Sequence, residues 1–304
     1  MSEIIAKALN TTAILRDQSL ASSQRAPQAL QTLSGLMLSD LSLEAQANLE
    51  TELVLVQRIL TEAQIGAAED YATLSSAAID DVVRRLETAC HIAIDSETQR
   101  VMSGLDAALH RLPREEIEEV RRHPEVFVPL LIESVKDAVA SARQGSQREG
   151  QSHFFAAFLL VELKVSDAVP LLLAGFKLHG HRESEIFGDA IHSLFPRMLA
   201  IFSHGETDDI DQLLRDMSLD EFARWGALST YCMLVGDGVL PREEAIAKLE
   251  SHLAWCIEQE DFDLIAPIVC ELGNLGAREA WKTIETAYDR GLVDPAIVDR
   301  ASLE

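Results

Sequence analysis

Apolar residues recur every three or four positions along most of this 304-residue chain. In the segment 41–60 they stand at the helical positions Leu49, Leu53, Val56, Ile59 and Leu60. This spacing places them on one face of a helix, so the segment is predicted to be an amphipathic helix.

The segment 79–94 repeats the pattern, with apolar residues at Val82, Val83, Leu86, Ala89 and Ile92. Asp80 and Asp81 are expected in its first turn, where carboxylates suit the positive end of the helix dipole.

Residues 1–105 are predicted to form an N-terminal helical region. The segments 21–27 (ASSQRAP) and 39–42 (SDLS) are expected to be connections between helices. The apolar stripes can pack on one another or on a second copy of the chain. The pattern leaves both arrangements open, so the region is a candidate element for homo-oligomer formation.

Residues 106–304 differ in pattern, because short apolar stretches of roughly ten to twenty residues alternate there with brief polar breaks. Short breaks between amphipathic helices indicate antiparallel neighbours. A series of such hairpins is typical of a solenoid. The sequence therefore predicts an all-α protein in which a HEAT-like array of helical hairpins follows the N-terminal region.

The phrase LPREE occurs twice, at Leu112–Glu116 and Leu240–Glu244. Proline suits the first turn of a helix, and the two glutamates after it suit the positive helix end. The phrase is therefore interpreted as a helix start, with His123 and His252 expected near the helix C-termini. A catalytic pair of carboxylates would need one desolvated glutamate, whereas these are expected to be solvated.

The phrases LPREEIEE, GDGVLPREE and AYDRGLVDP resemble a bacterial domain-of-unknown-function family, number eleven-eighty-six. The resemblance covers about residues 109–299. It implies a HEAT-like, all-α fold and no known reaction. Members of this family often carry a C-terminal zinc motif of clustered cysteines. The sequence to Glu304 contains no such cluster, so the resemblance implies no metal site here.

The net charge is −24. Nucleic-acid binding requires Lys and Arg to neutralise phosphates, and anionic membranes are disfavoured for the same reason. A basic or amphipathic protein partner fits this charge, although acidity also serves solubility alone.

The four cysteines, Cys90, Cys232, Cys256 and Cys270, are scattered and form no CxxC pair. They are interpreted as small buried apolar residues. The N-terminus does not resemble a secretory signal, and no apolar run is long enough to span a membrane. We therefore expect a cytoplasmic protein.

Histidines and acidic residues lie close together in the segment 178–189. His179, His181 and Glu183 are weak candidates for a metal site, because two imidazoles and a carboxylate can bind a transition metal. The spacing does not place both histidines on one helix face, so an ordinary polar loop is the favoured interpretation.

Signatures of cofactor binding or nucleophilic catalysis are missing from the sequence, and no catalytic residue is assigned. Gly236 and Gly238 are expected to end a helix in left-handed geometry rather than to bind phosphate. Trp225, Trp255 and Trp281 are predicted to be partly buried anchors between hairpins. Tryptophan is also enriched at interface hot spots, so the three are weak candidates for partner binding.

The pattern favours a non-enzymatic scaffold that binds a protein through an acidic helical-repeat surface. The alternative is an enzyme or a metal- or ligand-binding protein with its site near residues 179–189. A third hypothesis is mimicry of nucleic acid, which would require acids in rows on one face.

Overall fold

The computed structural model describes residues 3–17, 22–33, 43–68, 76–109, 111–146, 150–178 and 186–302. Every regular element in these ranges is a helix, and the protein is all-α as predicted. The chain divides into two compact units, Met1–Phe127 and Val128–Glu304. Among the described helices, none combines the length and the apolar character that crossing a lipid bilayer requires.

The first unit is built on four helices that pack as a closed bundle. They are α1 (Glu3–Arg16), α2 (Ser22–Leu33), α3 (Leu43–Ala68) and α4 (Ser76–Asp106). Helix α1 packs on α2 and α4, and α3 packs on the same two helices. The predicted stripes of α3 and α4 lie in this aliphatic core, with buried Leu49, Leu53, Val56, Leu60, Val82, Val83 and Leu86. Self-association of the unit stays a prediction.

Three local predictions in this unit were wrong. Helix α2 includes residues 22–27, because burial of Ala26 and Ala29 outweighs the one hydrogen bond that Pro27 removes. Helix α4 begins at Ser76, so Asp80 and Asp81 lie in its second turn rather than its first. Ile92 is 44% exposed instead of buried. The predicted connection 39–42 lies outside the described residues.

The second unit contains helices of eight to about twenty residues. Helix α5 (Arg114–Arg122) belongs to the first unit. Helix α6 (Pro124–Gln144) begins in the first unit and continues into the second. The helices that follow are α7 (Ser152–Glu162), α8 (Val169–Phe176), α9 (Ile191–Phe202), α10 (Asp208–Arg215), α11 (Glu221–Gly236), α12 (Arg242–Gln259), α13 (Phe262–Asn274) and α14 (Trp281–Asp289). Helix α9 packs on α7, α11 packs on α9, and α13 packs on α11. Helix α12 packs on α13 and on α14.

Both copies of LPREE start a helix, as predicted. Pro113 and Pro241 are the N-cap residues of α5 and α12. The Pro113 carbonyl accepts a hydrogen bond from Ile117 N at 2.9 Å, and the Pro241 carbonyl accepts one from Ala245 N at 3.1 Å. The prolines thus lie one position before the first helical residue.

The two copies differ in their surroundings, which corrects two expectations. His123 ends α5 as expected, but His252 lies buried in the middle of α12. Glu116 is only 7% exposed rather than solvated, and Arg111 Nη2 donates to its Oε1 at 3.0 Å. That ion pair holds the pKa of Glu116 below its usual range, although burial opposes the shift. The buried carboxylate is therefore paired with a cation, which favours its ionised form.

The turn after α11 is closed by Gly238. Its φ of 70° is left-handed, as predicted, whereas Gly236 is the last residue of the helix. Gly238 N donates to Val235 O, and Val239 N donates to Leu234 O at 2.9 Å. These bonds satisfy the last carbonyls of the helix. The turn therefore has the geometry of a helix C-terminus, as interpreted from the sequence, rather than that of a phosphate-binding loop.

Candidate functional site

The candidate site is built around α10, the short helix of residues 208–215. Its apolar face, formed by Ile210, Leu213 and Leu214, is buried. Asp208 and Asp209 in its first turn and Arg215 in its last turn suit the helix dipole. Because a helix of two turns is marginal by itself in water, tertiary contacts must hold α10 in place.

Asp211 provides the first of these contacts. Its Oδ1 accepts a hydrogen bond from the Tyr231 hydroxyl on α11 and lies 2.7 Å from His252 Nε2 on α12. Lys248 Nζ, also on α12, donates to Oδ2 at 2.9 Å. One carboxylate therefore ties α10 to two neighbouring helices.

Electrostatics favours the ionised form of this carboxylate. Burial alone raises the pKa of Asp211, but hydrogen bonds with His252, Tyr231 and Lys248 outweigh burial and hold that pKa well below its usual range. Burial and the adjacent Asp211 carboxylate raise the pKa of Tyr231. Tyr231 is thus a fixed hydrogen-bond donor, and the cluster has the character of a structural clamp.

Arg224 provides the second contact. The side chain of this α11 residue is buried, with the whole residue 1% exposed, and it forms a bidentate ion pair with buried Asp261. Its Nε and Nη2 also donate to Leu214 O at the end of α10, at 3.1 and 2.8 Å. A guanidinium that bonds both a carboxylate and a helix carbonyl fixes the end of α10 against α11 and the start of α13.

Between α8, α9 and α10 lies a groove of about 460 Å³, here named the α8–α10 groove. Its apolar lining residues are Val169, Leu173, Met198, Leu199, Phe202, Ile210 and Leu213. Its polar lining residues are Lys177, Ser203, Glu206, Asp209, Gln212 and Asp216. Three carboxylates against one ammonium give the rim a negative charge.

A second groove, of about 900 Å³, lies beside α13 and α14. Leu272, Trp281, Ile284 and Val298 form its apolar lining, and Arg278 is its one charged lining residue. Its charge is therefore opposite to that of the α8–α10 groove, and it does not fit a basic partner.

The residues predicted from sequence are not the ones that form the α8–α10 groove. His179, His181 and Glu183 lie outside the described residues. The three tryptophans are all partly buried, as expected, and Trp281 lines the second groove, beside α13 and α14. Trp255 lines neither groove, and Trp225 contacts the ring of His192.

Within the described residues, no group of three His, Cys, Asp or Glu side chains is arranged to hold a metal ion. The four cysteines are free. Cys90 and Cys256 are buried, as predicted, and burial raises the pKa of each thiol to about 12. Cys232 and Cys270 are only partly buried, so the expectation of full burial was wrong for these two.

Sequence reasoning missed Asp211 and its partners, although one signal was present. His252 lies on the apolar stripe of α12, beside Leu249 and Leu253. A histidine at a buried position needs a hydrogen-bond partner. Asp211, at the edge of the apolar face of α10, is such a partner, but only the fold brings the two residues together.

Comparisons with known proteins agree with the resemblance seen in the sequence. The model of the family described as "Protein of unknown function (DUF1186)" matches residues 96–304, more than half of the chain. An uncharacterized protein of Chlamydia trachomatis serovar D is 25% identical over 197 residues, which cover 64% of this chain and 77% of that protein. An uncharacterized protein of Chlamydia muridarum is 24% identical over 194 residues, covering 64% and 78%. No solved structure matches the chain significantly.

Proposed function

We propose, from the premise that this chain belongs to the DUF1186 family of proteins of unknown function, that it is a non-enzymatic scaffold that binds another protein. The acid-rimmed α8–α10 groove carries the proposal. It receives a basic amphipathic helical segment of the partner. Apolar side chains of the segment contact the groove floor, and its Lys or Arg side chains face the rim.

The packing of the second unit supports a HEAT-like array. Helices α7, α9, α11 and α13 contact one another in series, and α12 contacts α14 two helices further along the chain. Contacts between alternate helices are expected when hairpins stack side by side into two layers. Stacked hairpins offer grooves between their helices, and such surfaces commonly bind peptides and proteins.

Charge supports a basic segment as the partner. The rim acids Glu206 and Asp209 are exposed, and Asp216 lies at the other end of α10. The whole chain has a net charge of −24, so an acidic segment would be repelled both at the groove and at a distance. A basic segment gains a faster association rate and favourable contacts at the rim, both of which weaken as salt is added.

A synthetic peptide tests the groove. The probe is a lactam-bridged helix of about 11 residues, ~16 Å long, with Leu on one face, Lys on the other and a fluorescein label. We expect saturable binding by fluorescence anisotropy, weaker at high salt, and no binding of the matched Leu/Glu peptide. The groove variant carries Glu206→Gln, Asp209→Asn and Asp216→Asn, and it should bind about tenfold more weakly.

A matched control separates the groove from the overall charge. The control variant removes three exposed acids of α12, through Glu243→Gln, Glu244→Gln and Glu258→Gln. Equal affinities of the two variants for the peptide would contradict the proposal, because the rim would then contribute no more than any other acids. A pull-down from lysate with the same two variants extends the comparison to natural partners.

We place this binding function in the cytosol. The four cysteines are free, two of them partly exposed, as expected of a protein kept in a reducing compartment. Fractionation of cells with an antibody to the chain tests the location.

A further inference from the structure

An exposed patch of rings, here named the aromatic shelf, lies at the starts of α9 and α11. It consists of His192, Phe222 and Trp225. The rings of His192 and Phe222 are 5.3 Å apart, and those of His192 and Trp225 are 5.9 Å apart, both edge to face. Phe222 is 37% exposed.

Aromatic residues make up only 5% of this chain. The phenylalanines of the second unit's core, Phe176, Phe187 and Phe195, are fully buried and stacked on one another. Phe222 and Trp225 instead remain partly open beside an exposed histidine. Exposed aromatic groups of this kind are concentrated at the energetic centres of protein interfaces.

The shelf is held rigidly in place. Asp220 caps α11, with its Oδ1 accepting a hydrogen bond from Phe222 N at 2.9 Å. Two residues further on, Arg224 is fixed by Leu214 O and Asp261. These contacts fix the first turn of α11, which carries Phe222, against the end of α10.

The shelf adjoins one end of the α8–α10 groove. Arg224, the residue before Trp225, donates to Leu214 O, and Leu214 lies two residues before Asp216, which lines that end of the groove. On α9, His192 lies seven residues before Leu199 of the groove floor, and such residues differ by only ~20° around a helix. They are separated by ~10 Å along the axis. Groove and shelf thus share one side of the second unit.

We propose that the partner segment extends past Asp216 and places a large apolar side chain on the aromatic shelf. This inference rests on the proposed function of the groove and specifies the length of the segment. The groove from Glu206 to Asp216 follows ~15 Å of helix, so a segment that fills the groove and also reaches the shelf must be longer than ~10 residues. Exposed Glu221, next to Phe222, keeps the shelf suited to a basic segment.

Trp225 itself can report the contact. In the full chain with Trp255→Phe and Trp281→Phe, Trp225 is the only tryptophan. The probes are two Trp-free Leu/Lys helices, one of about 11 residues and one of about 18 residues, ~27 Å long. We expect the longer peptide to shift the emission of Trp225 to shorter wavelength, saturating at the concentration at which anisotropy saturates. The shorter peptide should bind without that shift.

A substitution on the shelf provides the second measurement. Phe222→Ser should weaken binding of the longer peptide about tenfold and leave binding of the shorter peptide unchanged. Unchanged binding of the shorter peptide also shows that the variant is folded. Ile297→Ser, at another exposed apolar residue, is the matched control and should affect neither peptide.

The outcomes separate the two proposals. If both peptides bind with equal affinity and Trp225 emission stays constant, the shelf plays no part and this inference is overturned, while the groove proposal stands. If neither peptide binds, the groove proposal fails as well.

Discussion

Asp211 Oδ1 lies 2.7 Å from His252 Nε2, and this contact joins the short helix α10 to the middle of α12. The same carboxylate accepts hydrogen bonds from Tyr231 and Lys248. One wall of the α8–α10 groove is therefore held in part by a single carboxylate.

Replacement of Asp211 should loosen that wall and change the response to acid. The unfolded carboxyl has a pKa of about 4, and the folded one is lower. Its contribution to stability is therefore present above about pH 4 and is lost as the pH falls toward the folded pKa. Asp211→Asn should lower the free energy of unfolding by ~1–3 kcal/mol at pH 7 and by less at pH 3. Urea denaturation at the two pH values measures this, with exposed Asp209→Asn as the control.

Removing one member of the buried Arg224–Asp261 pair should lower the free energy of unfolding more than replacing both members. Arg224→Met leaves the Asp261 carboxylate and Leu214 O buried without their partner, and should destabilise the second unit by ~3–5 kcal/mol. Adding Asp261→Asn removes the uncompensated charge and should restore part of the loss. A double-mutant cycle by chemical denaturation tests this, and additive effects of the two substitutions would contradict it.

The two copies of LPREE provide a matched pair of arginines. Arg242 donates to Leu275 O at 2.8 Å and Gly276 O at 2.7 Å, and it pairs with Glu279. Its counterpart Arg114 is exposed, with no side-chain partner among the described residues. Arg242→Ala should cost ~1 kcal/mol or more, and Arg114→Ala less than ~0.5 kcal/mol. Thermal unfolding of the two variants compares them, and equal losses would show that the shared phrase, not its contacts, sets the stability.

Two helical glycines should respond to alanine with opposite signs. A Cβ on Gly104 would lie 2.5 Å from Glu116 Oε1, so Gly104→Ala must displace the buried carboxylate from Arg111. We expect a loss of ~1–3 kcal/mol. A Cβ on Gly236 meets nothing within 4 Å, so Gly236→Ala should gain ~0.5–1 kcal/mol through its higher helix propensity. Melting temperatures of both variants provide the measurement.

Much of the secondary structure could be predicted from the sequence, because the residues at a helix start are chosen locally, by proline geometry and by charge. The LPREE phrase marks the starts of α5 and α12 correctly. Pro27 shows the limit of that approach, since burial of its neighbours in the bundle core keeps α2 helical around it.

The candidate site was not predictable in the same way. Its residues come from five helices, α8 to α12, and no local spacing links Asp211 to His252, 41 positions away. Nor does any local pattern join Asp209 to the apolar floor of α8 and α9. These neighbours are set by the order in which helices pack, which the hydrophobic pattern leaves open. The hydrophobic pattern indicates which faces of the helices are apolar but not which of these faces pack together.

The contacts that Asp211 and Arg224 make with α10 also affect the entropy of binding. Because Asp211 and Arg224 fix this helix, the groove is preorganised, and binding of the proposed partner would cost the chain little conformational freedom. Most of the conformational entropy lost on binding is then lost by the incoming segment, which must become helical. Among partners with the same contacts, affinity should therefore follow the intrinsic helicity of the segment.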